Sequence, residues 1–179
     1  MEKIALSNVQ LDHLAYNHPD LGKFYGGTRA CDRLPSIIPY EGVRAYIVNT
    51  DPHDKPGTHW IALWTDGNHC EMMDSYAMSL KAYPGSEPLQ QWIERHYMRC
   101  TMNSQSLQAL TSNSCGDYAL FYLIDKSRGL SMQDFVNRFK PNRFVWNDHH
   151  VGQMLKSYIQ SDAMWNHVCK KPHHQCNKT

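Results

Sequence analysis

The hydrophobic pattern in the middle of the chain predicts β-strands. Short runs rich in apolar and β-branched residues alternate there with turn-forming residues, which is typical of strands joined by tight turns. The predicted strands are 43–50, 58–65, 69–76 and 99–108, the last of which runs into a loop. Asp66-Gly67-Asn68 predicts a hairpin with a two-residue turn at Asp66-Gly67. The segment 24–35 contains the pair Gly26-Gly27 and is predicted to be a loop.

Apolar residues at helical spacing predict helices before and after this strand region. Capping-box sequences at Ser7-Asn8-Val9-Gln10 and Ser131-Met132-Gln133-Asp134 each predict the start of a short helix. Further helices are predicted at 87–98, at 116–128 with Gly129 as its stop, and after Asn147-Asp148 with 151, 154, 155, 158 and 159 on one face. Central strands with helices before and after them predict an α+β fold.

The composition is that of one globular domain. With 41% hydrophobic and 20% charged residues among 179, we expect one domain at 1–164 and a polar tail at 165–179. The formal charge of +1 supplies no overall field for a polyanion, so binding to nucleic acid would need a local patch. The N-terminal segment lacks a signal-peptide pattern, no apolar run reaches membrane-spanning length, and the six cysteines are predicted to be free thiols. We therefore expect an intracellular monomer that does not associate with membranes.

The predicted hairpin brings a histidine and a carboxylate together. With a turn at Asp66-Gly67, His59 would lie directly across from Asp74. Alternation would place Ile61, Leu63, Cys70 and Met72 on that same face and Trp60, Ala62, Trp64, His69, Glu71 and Met73 on the other. A carboxylate beside an imidazole fixes its tautomer and stabilises the imidazolium, although a purely structural pair is the alternative. A three-residue turn would instead pair His59 with Ser75.

Cys115 stands between a turn-prone run and the longest apolar run of the chain. The residues before it are Thr111–Ser114, and the run Ala119–Ile124 follows. At a helix N-terminus, the helix dipole and a neighbouring imidazolium would stabilise a thiolate. The alternative is a buried structural thiol, but Met, Leu or Ala would serve equally well at an apolar helix start. Because Gly116 also allows close approach of a substrate carbonyl, a nucleophilic cysteine is the favoured interpretation.

The order of these residues resembles that of adenain, the adenovirus cysteine endopeptidase, and more broadly the clan that includes the SUMO-specific proteases. The matching set is His59-Trp60, Asp74, Gln108 and Cys115-Gly116, within the segments VNT…GTHWIALW, QSLQ and SCG. The seven-residue step from Gln108 to Cys115 matches adenain. The resemblance runs from about Leu21 to Gly129 and departs at Asp74, where adenoviral enzymes mostly carry glutamate. A divergent adenovirus-like virus or a related mobile element is the source that this departure suggests.

The resemblance implies a fold and a set of residue roles. The fold would have a central mixed sheet with helices on both sides and the nucleophile at a helix N-terminus. Cys115 would attack the scissile carbonyl, His59 would act as its base, and Asp74 would orient His59. Gln108 and the Cys115 N–H would form the oxyanion hole. No metal or cofactor would be required for this chemistry.

The resemblance also implies substrates and regulation. The substrates would be viral capsid or core precursor proteins, cut near glycine residues during virion maturation in the host nucleus and the virion. An activating peptide derived from a capsid protein would attach by a disulfide, for which Cys100 is the candidate. Viral DNA would be a further activator by the same resemblance, and the near-neutral charge gives that partner little support.

Three other readings remain open. A SUMO or ubiquitin-like deconjugating protease would share the fold and mechanism. A chymotrypsin-like viral cysteine protease shares the order of histidine, acid and cysteine, but the predicted helices argue against its nearly all-strand fold. The tail carries His167, Cys169, His173, His174 and Cys176, which are zinc-ligand types without a usual finger spacing, so an interaction module with bound metal is the less favoured alternative.

Overall fold

The fold of this chain is a five-stranded mixed sheet with helices on both faces. The computed structural model describes residues 5–38 and 42–160. In chain order the elements are α1 (Asn8–Tyr16), β1 (Tyr25–Ala30), β2 (Val43–Asn49), β3 (Trp60–Asp66), β4 (His69–Met73), a 3₁₀ turn (Leu80–Ala82), α2 (Glu87–His96), β5 (Arg99–Met102), α3 (Cys115–Ser127), α4 (Met132–Val136) and α5 (Phe144–Gln160). The predicted α+β class is confirmed.

The strands lie in the sheet in the order of the sequence, β1-β2-β3-β4-β5. The two inner hairpin pairings are antiparallel, whereas the outer pairs β1–β2 and β4–β5 are parallel. The sheet is therefore mixed, and β1 and β5 form its edges.

The prediction of a loop at 24–35 is wrong for Tyr25–Ala30, which form the edge strand β1, whereas residues 31–35 lie outside any helix or strand as predicted. Gly26 lies where the Tyr46 ring crosses the strand: a Cβ on it would come within 2.3 Å of Tyr46 Cε1. Gly27 adopts a φ of +110° at the point where the register with β2 shifts. Both glycines thus serve a strand that packs closely on its neighbour.

The predicted hairpin is confirmed, but its turn lies one residue later than expected. Asp66 pairs with His69, so Gly67 and Asn68 form the turn, and Gly67 has a φ of +55°. Leu63 consequently pairs with Met72, and the ladder ends at the pair Ala62–Met73. Each paired β3 residue thus has its β4 partner two positions later than predicted, so the prediction that His59 lies directly across from Asp74 in the hairpin is wrong. The side chains of the paired residues still lie on their predicted faces, because side chains alternate between the faces of a strand with a period of two.

The two faces of the sheet carry separate hydrophobic cores. Ile61, Leu63, Cys70 and Met72 pack with Leu89, Trp92 and Ile93 of α2. Ala62, Trp64 and Met73 pack on the other face with residues of α1, α3, α4 and α5. The first eleven residues of α3, from Cys115 to Asp125, are all buried. This helix therefore crosses the centre of the larger core and holds its N-terminus firmly in place.

Most helix predictions are confirmed at their ends. Capping boxes open α1 at Ser7 and α4 at Ser131, and Gly129 follows α3 with a φ of +89°. The last helix begins at Phe144, earlier than the predicted cap at Asn147-Asp148. The reason is that the Asn147 N–H donates to Arg143 O, which places Asn147 inside the helix.

Two expectations about the ends of the chain are not tested. The predicted domain boundary at 164, the tail 165–179 and the side chain of Ile159 lie outside the described residues. No helix within the described ranges is long and apolar enough to cross a membrane.

Candidate active site

Three of the predicted site residues meet where three elements begin or end. His59 immediately precedes β3, Asp74 immediately follows β4, and Cys115 is the first residue of α3. The residues His59, Asp74 and Cys115 are 4%, 1% and 9% exposed, so all three are buried. The structure thus brings together the histidine, the carboxylate and the thiol that the sequence singled out.

His59 and Asp74 form a buried ion pair. The distance between His59 Nε2 and Asp74 Oδ1 is 2.8 Å. Asp74 also accepts hydrogen bonds from the Tyr76 N–H at 2.9 Å, the Met78 N–H at 3.1 Å and the Tyr83 hydroxyl at 2.7 Å. Every one of these partners is a donor, so the site is built for an ionised carboxylate.

The backbone of Asp74 is held by a side chain from a different strand region. Asn103 Oδ1 accepts from the Asp74 N–H at 2.9 Å, and Asn103 Nδ2 donates to the Asp74 carbonyl at 2.7 Å. The backbone of Asp74 is therefore held in place, although Asp74 lies beyond the residues of β4 that pair with β3. The sequence analysis missed Asn103 and Tyr83, because nothing in the local sequence links either residue to Asp74.

The pKa values of His59 and Asp74 shift in opposite directions. Burial lowers the pKa of His59, but hydrogen bonds and charges from Asp74 and Cys115 outweigh burial and raise that pKa to about 9. Burial raises the pKa of Asp74, while the hydrogen bond and charge of His59 lower it more, so that the net shift is downward. Both shifts favour imidazolium and carboxylate near neutral pH.

Two tyrosine rings lie nearly parallel to the His59 ring. The Tyr76 centroid lies 4.6 Å from the imidazole centroid at an interplanar angle of 25°, and the Tyr83 centroid lies 5.3 Å away at 15°. Aromatic faces attract a cation, so this stacking both restricts the ring and favours its protonated form.

Cys115 lies at the positive end of the α3 dipole, and its side chain is one of the groups that raise the pKa of His59. Since Asp74 occupies Nε2 of His59, the remaining nitrogen Nδ1 is the one that serves the thiol. Cys115 lines a cleft of about 670 Å³ together with Trp60, Tyr76 and Asn113. The thiol is thus accessible from one side while its other contacts are with protein.

Gln108 is buried and held by two neighbours. Its Oε1 accepts from the Ser75 hydroxyl at 2.6 Å, and its Nε2 donates to the Ser112 carbonyl at 2.9 Å. The hydrogen bond to Ser112 uses one of the two amide N–H groups, and the second N–H is the one that would donate a hydrogen bond to an oxyanion. The arrangement links Gln108 to the turn just before Cys115.

Cys100 lies on the edge strand β5, away from the residues that line the Cys115 cleft. Its thiol is exposed, and it pairs in register with the buried Cys70. A hydrogen bond between the two thiols lowers the pKa of Cys100 and raises that of Cys70. Within the described ranges, no cluster of three or more His, Cys, Asp or Glu side chains could hold a metal ion, and the Cys/His-rich tail lies outside those ranges.

The chain is similar in sequence to several viral proteases. The chain is 32% identical over 130 residues to the protease of bovine adenovirus 4, which covers 65% of this chain and 63% of that protein. It is 24% identical over 146 residues to a cysteine protease of African swine fever virus, covering 70% of this chain and 49% of that one. In another isolate of that virus the matching protein is named a SUMO-1 cysteine protease. No protein-family model matches the chain.

These matches confirm the predicted resemblance: the chain is adenain-like, and the sequences that it matches are viral proteases. Among solved structures, ChlaDub1 of Chlamydia trachomatis matches with a TM-score of 0.48 at 11% identity, over 73% of this chain and 62% of that chain. The chain spans between about half and two thirds of the length of the viral relatives it matches.

Proposed function

We propose that this chain is a cysteine endopeptidase in which Cys115 is the nucleophile, His59 the general base and Asp74 the residue that orients His59. The observation that carries the proposal is the buried 2.8 Å contact between His59 and Asp74 beside a cysteine at a helix N-terminus. A buried imidazole that has a raised pKa and lies beside a thiol is an arrangement typical of peptide hydrolysis by a cysteine nucleophile.

The reaction follows from the positions of these groups. His59 takes the proton of Cys115 or already holds that proton in a preformed thiolate–imidazolium pair, the form that its raised pKa favours. The sulfur then attacks the scissile carbonyl carbon. The Cys115 N–H and the free amide proton of Gln108 donate to the developing oxyanion, and loss of one such donor typically costs about 100-fold or more in rate. His59 then gives its proton to the leaving amine as the C–N bond breaks. Water, deprotonated by His59, hydrolyses the thioester and releases the acid.

The substrates in this proposal are viral capsid or core precursor polypeptides, cut beside glycine residues during virion maturation in the host nucleus and the virion. Similarity to viral proteases supports this class. Glycine next to the scissile bond would suit a buried thiol, because a substrate without side chains there approaches the recessed Cys115 more closely.

Activation by a capsid-derived peptide through Cys100 belongs to the same proposal. Two features support it: β5 is an edge strand with an open side, and the Cys100 thiol is exposed with a lowered pKa. A peptide added to β5 as a further strand would lie beside the segment that leads to Asn103 and Gln108. Viral DNA remains a second candidate activator, which salt-dependent activity measurements with added DNA would test.

The decisive experiment is labelling with a thiol-directed peptide probe, followed by mass-spectrometric mapping of the modified residue. We expect the label on Cys115, no label or turnover with Cys115→Ala, and almost no turnover with Cys115→Ser. A Cys100→Ala variant should still be labelled at Cys115. Proteolysis by folded Cys115→Ala protein would contradict the proposal.

Deconjugation of a ubiquitin-like protein is the second candidate, favoured by one name among the relatives, SUMO-1 cysteine protease. The same three residues would perform the chemistry on a C-terminal Gly-Gly. Parallel assays of a SUMO conjugate and of a glycine-containing viral-type peptide separate the two functions. Faster cleavage of the conjugate would favour deconjugation.

A further inference from the structure

A second concavity lies beside the candidate active site and is lined mainly by apolar side chains. This groove, of about 840 Å³, runs between the loop 106–110 and residues 142–146, where α5 begins. Its large apolar lining residues are Met78, Leu110, Phe144, Val145 and Trp146, and the other lining residues are Tyr76, Ser106, Gln108, Ala109, Asn142 and Arg143. Leu110 and Val145 are 77% and 79% exposed, which is unusual for two large apolar residues that line one concavity. We name this concavity the Trp146 groove.

The walls of the Trp146 groove are held rigidly. Asn147 is fully buried and joins the two walls, since its Nδ2 donates both to the Leu107 carbonyl at 3.1 Å and to the Lys140 carbonyl at 3.0 Å. Asp148 accepts from the Ala109 N–H at 3.2 Å and from the Tyr118 hydroxyl at 3.0 Å. These bonds form the groove before any ligand arrives, which lowers the entropic cost of binding.

Trp146 itself is also fixed. Its ring stacks on His150 at 4.5 Å and lies under the Lys140 ammonium at 4.4 Å. These two contacts restrict the orientation of the Trp146 ring in the groove. The Trp146 groove is therefore a preformed apolar surface rather than a chance exposure of flexible residues.

The Trp146 groove adjoins the cleft that contains the thiol. Tyr76 lines both concavities, and Gln108 lines the groove. Cys115 lines the cleft but is not among the lining residues of the groove. A polypeptide that crosses Cys115 in an extended conformation therefore continues past Tyr76 into the groove.

The direction of that polypeptide follows from the chemistry. The acyl part of the substrate becomes bonded to the Cys115 sulfur and so stays in the cleft. His59 protonates the leaving amine, and Tyr76 stacks on His59 at the boundary of the two concavities. The part of the substrate that begins with the leaving amine consequently lies on the side of the groove.

We propose that the Trp146 groove binds the first few substrate residues after the scissile bond and selects apolar side chains there. This inference rests on the proposed peptidase function and names the substrate class more closely: precursor proteins with an apolar residue shortly after the cut. Burial of one such side chain should give a preference of about tenfold or more.

An acyl-transfer experiment isolates this side of the substrate. A short peptide thioester that ends in glycine acylates Cys115, and its leaving thiol departs with a proton. An added peptide amine then competes with water: its nitrogen forms the new C–N bond as the C–S bond breaks, and its proton passes through His59 to the Cys115 sulfur. The acceptors are Gly-Leu-Leu-amide and the equally long Gly-Asp-Asp-amide, and the ratio of their transfer products is measured by mass spectrometry.

We expect about tenfold or more transfer to the apolar acceptor, with a large fall of that ratio in Leu110→Asp and Val145→Asp. Ile37→Asp is the matched control, because Ile37 is 85% exposed and lines neither concavity. Equal transfer to both acceptors from a formed acyl-enzyme would overturn this inference and leave the peptidase proposal intact. Absence of any acyl-enzyme would overturn both. A dimer that Val145→Asp dissociates without changing the ratio would show that the groove serves self-association instead.

Discussion

The Tyr83 hydroxyl donates to Asp74 Oδ2 at 2.7 Å, which is the carboxylate oxygen that His59 does not use. The Tyr83 ring also lies nearly parallel to the His59 ring at 5.3 Å. One side chain therefore restricts both members of the histidine–carboxylate pair, through a hydrogen bond to one and stacking on the other.

Tyr83→Phe separates these two contacts, because it keeps the ring and removes the hydroxyl. We expect kcat to fall about tenfold, as loss of one hydrogen bond to a charged group costs about 1.5–3 kcal/mol, only part of which reaches the transition state. KM should remain unchanged, since Tyr83 does not line the cleft. Steady-state kinetics on a fluorogenic peptide measure both constants, and a rise in KM at constant kcat would contradict this assignment.

Asp74→Asn should harm both turnover and stability. An amide turns one of its two acceptor positions into a donor, which would then face one of the donors that now surround Asp74. We expect turnover to fall by about 100-fold or more and the free energy of unfolding to fall by about 1–3 kcal/mol.

Glu71→Gln is the control for Asp74→Asn, because Glu71 is a carboxylate of the same hairpin on the opposite face. It accepts from the Tyr122 hydroxyl and the Lys126 ammonium, both at 2.7 Å, so its loss should lower stability. Turnover of the folded variant should be retained. If Glu71→Gln abolished turnover and Asp74→Asn did not, the assignment of the orienting carboxylate would be wrong.

Stability should depend on pH through His59. Its pKa is raised from the ordinary 6.5 to about 9 in the folded protein, so its contribution is fully present below pH 6.5 and is lost as the pH rises through 9. That difference in pKa corresponds to about 3 kcal/mol. Urea unfolding at about pH 6.5 and about pH 9 measures how much the free energy of unfolding falls between the two. That fall should be smaller for His59→Gln than for the wild type. Equal losses in the two proteins would contradict the raised pKa.

The edge strand β1 supplies a prediction about folding. In Gly26→Ala the new Cβ would meet the Tyr46 ring, which packs edge-on against Trp92 and has little room to move. We expect a loss of about 1–3 kcal/mol in the free energy of unfolding, the usual cost of overpacking. Gly116→Ala is the comparison, since its Cβ would meet Leu11 and Trp60 only at 3.5 Å. Thermal denaturation of the two variants should show a clear fall in Tm for Gly26→Ala alone.

The sequence by itself determined what depends on neighbours along the chain. Ser7 with Gln10 and Ser131 with Asp134 form their capping boxes over three residues, and Gly129 ends α3 through its own backbone conformation. The faces of the hairpin follow from the period of two and survive the misplaced turn. The predicted hairpin and the helix start at Cys115 pointed to His59, Asp74 and Cys115, and the order and spacing of these residues resemble those of adenain.

Only the tertiary structure decided what depends on residues distant in the sequence. β1 forms because it pairs with β2 and because Gly26 leaves room for the Tyr46 ring. The two adjacent glycines, taken alone, predict a loop. Asn103 holds the backbone of Asp74 across 29 positions, and Asn147 reaches the Leu107 carbonyl across 40. Local propensity carries no information about such contacts, because their free energy is gained only when packing brings the two segments together.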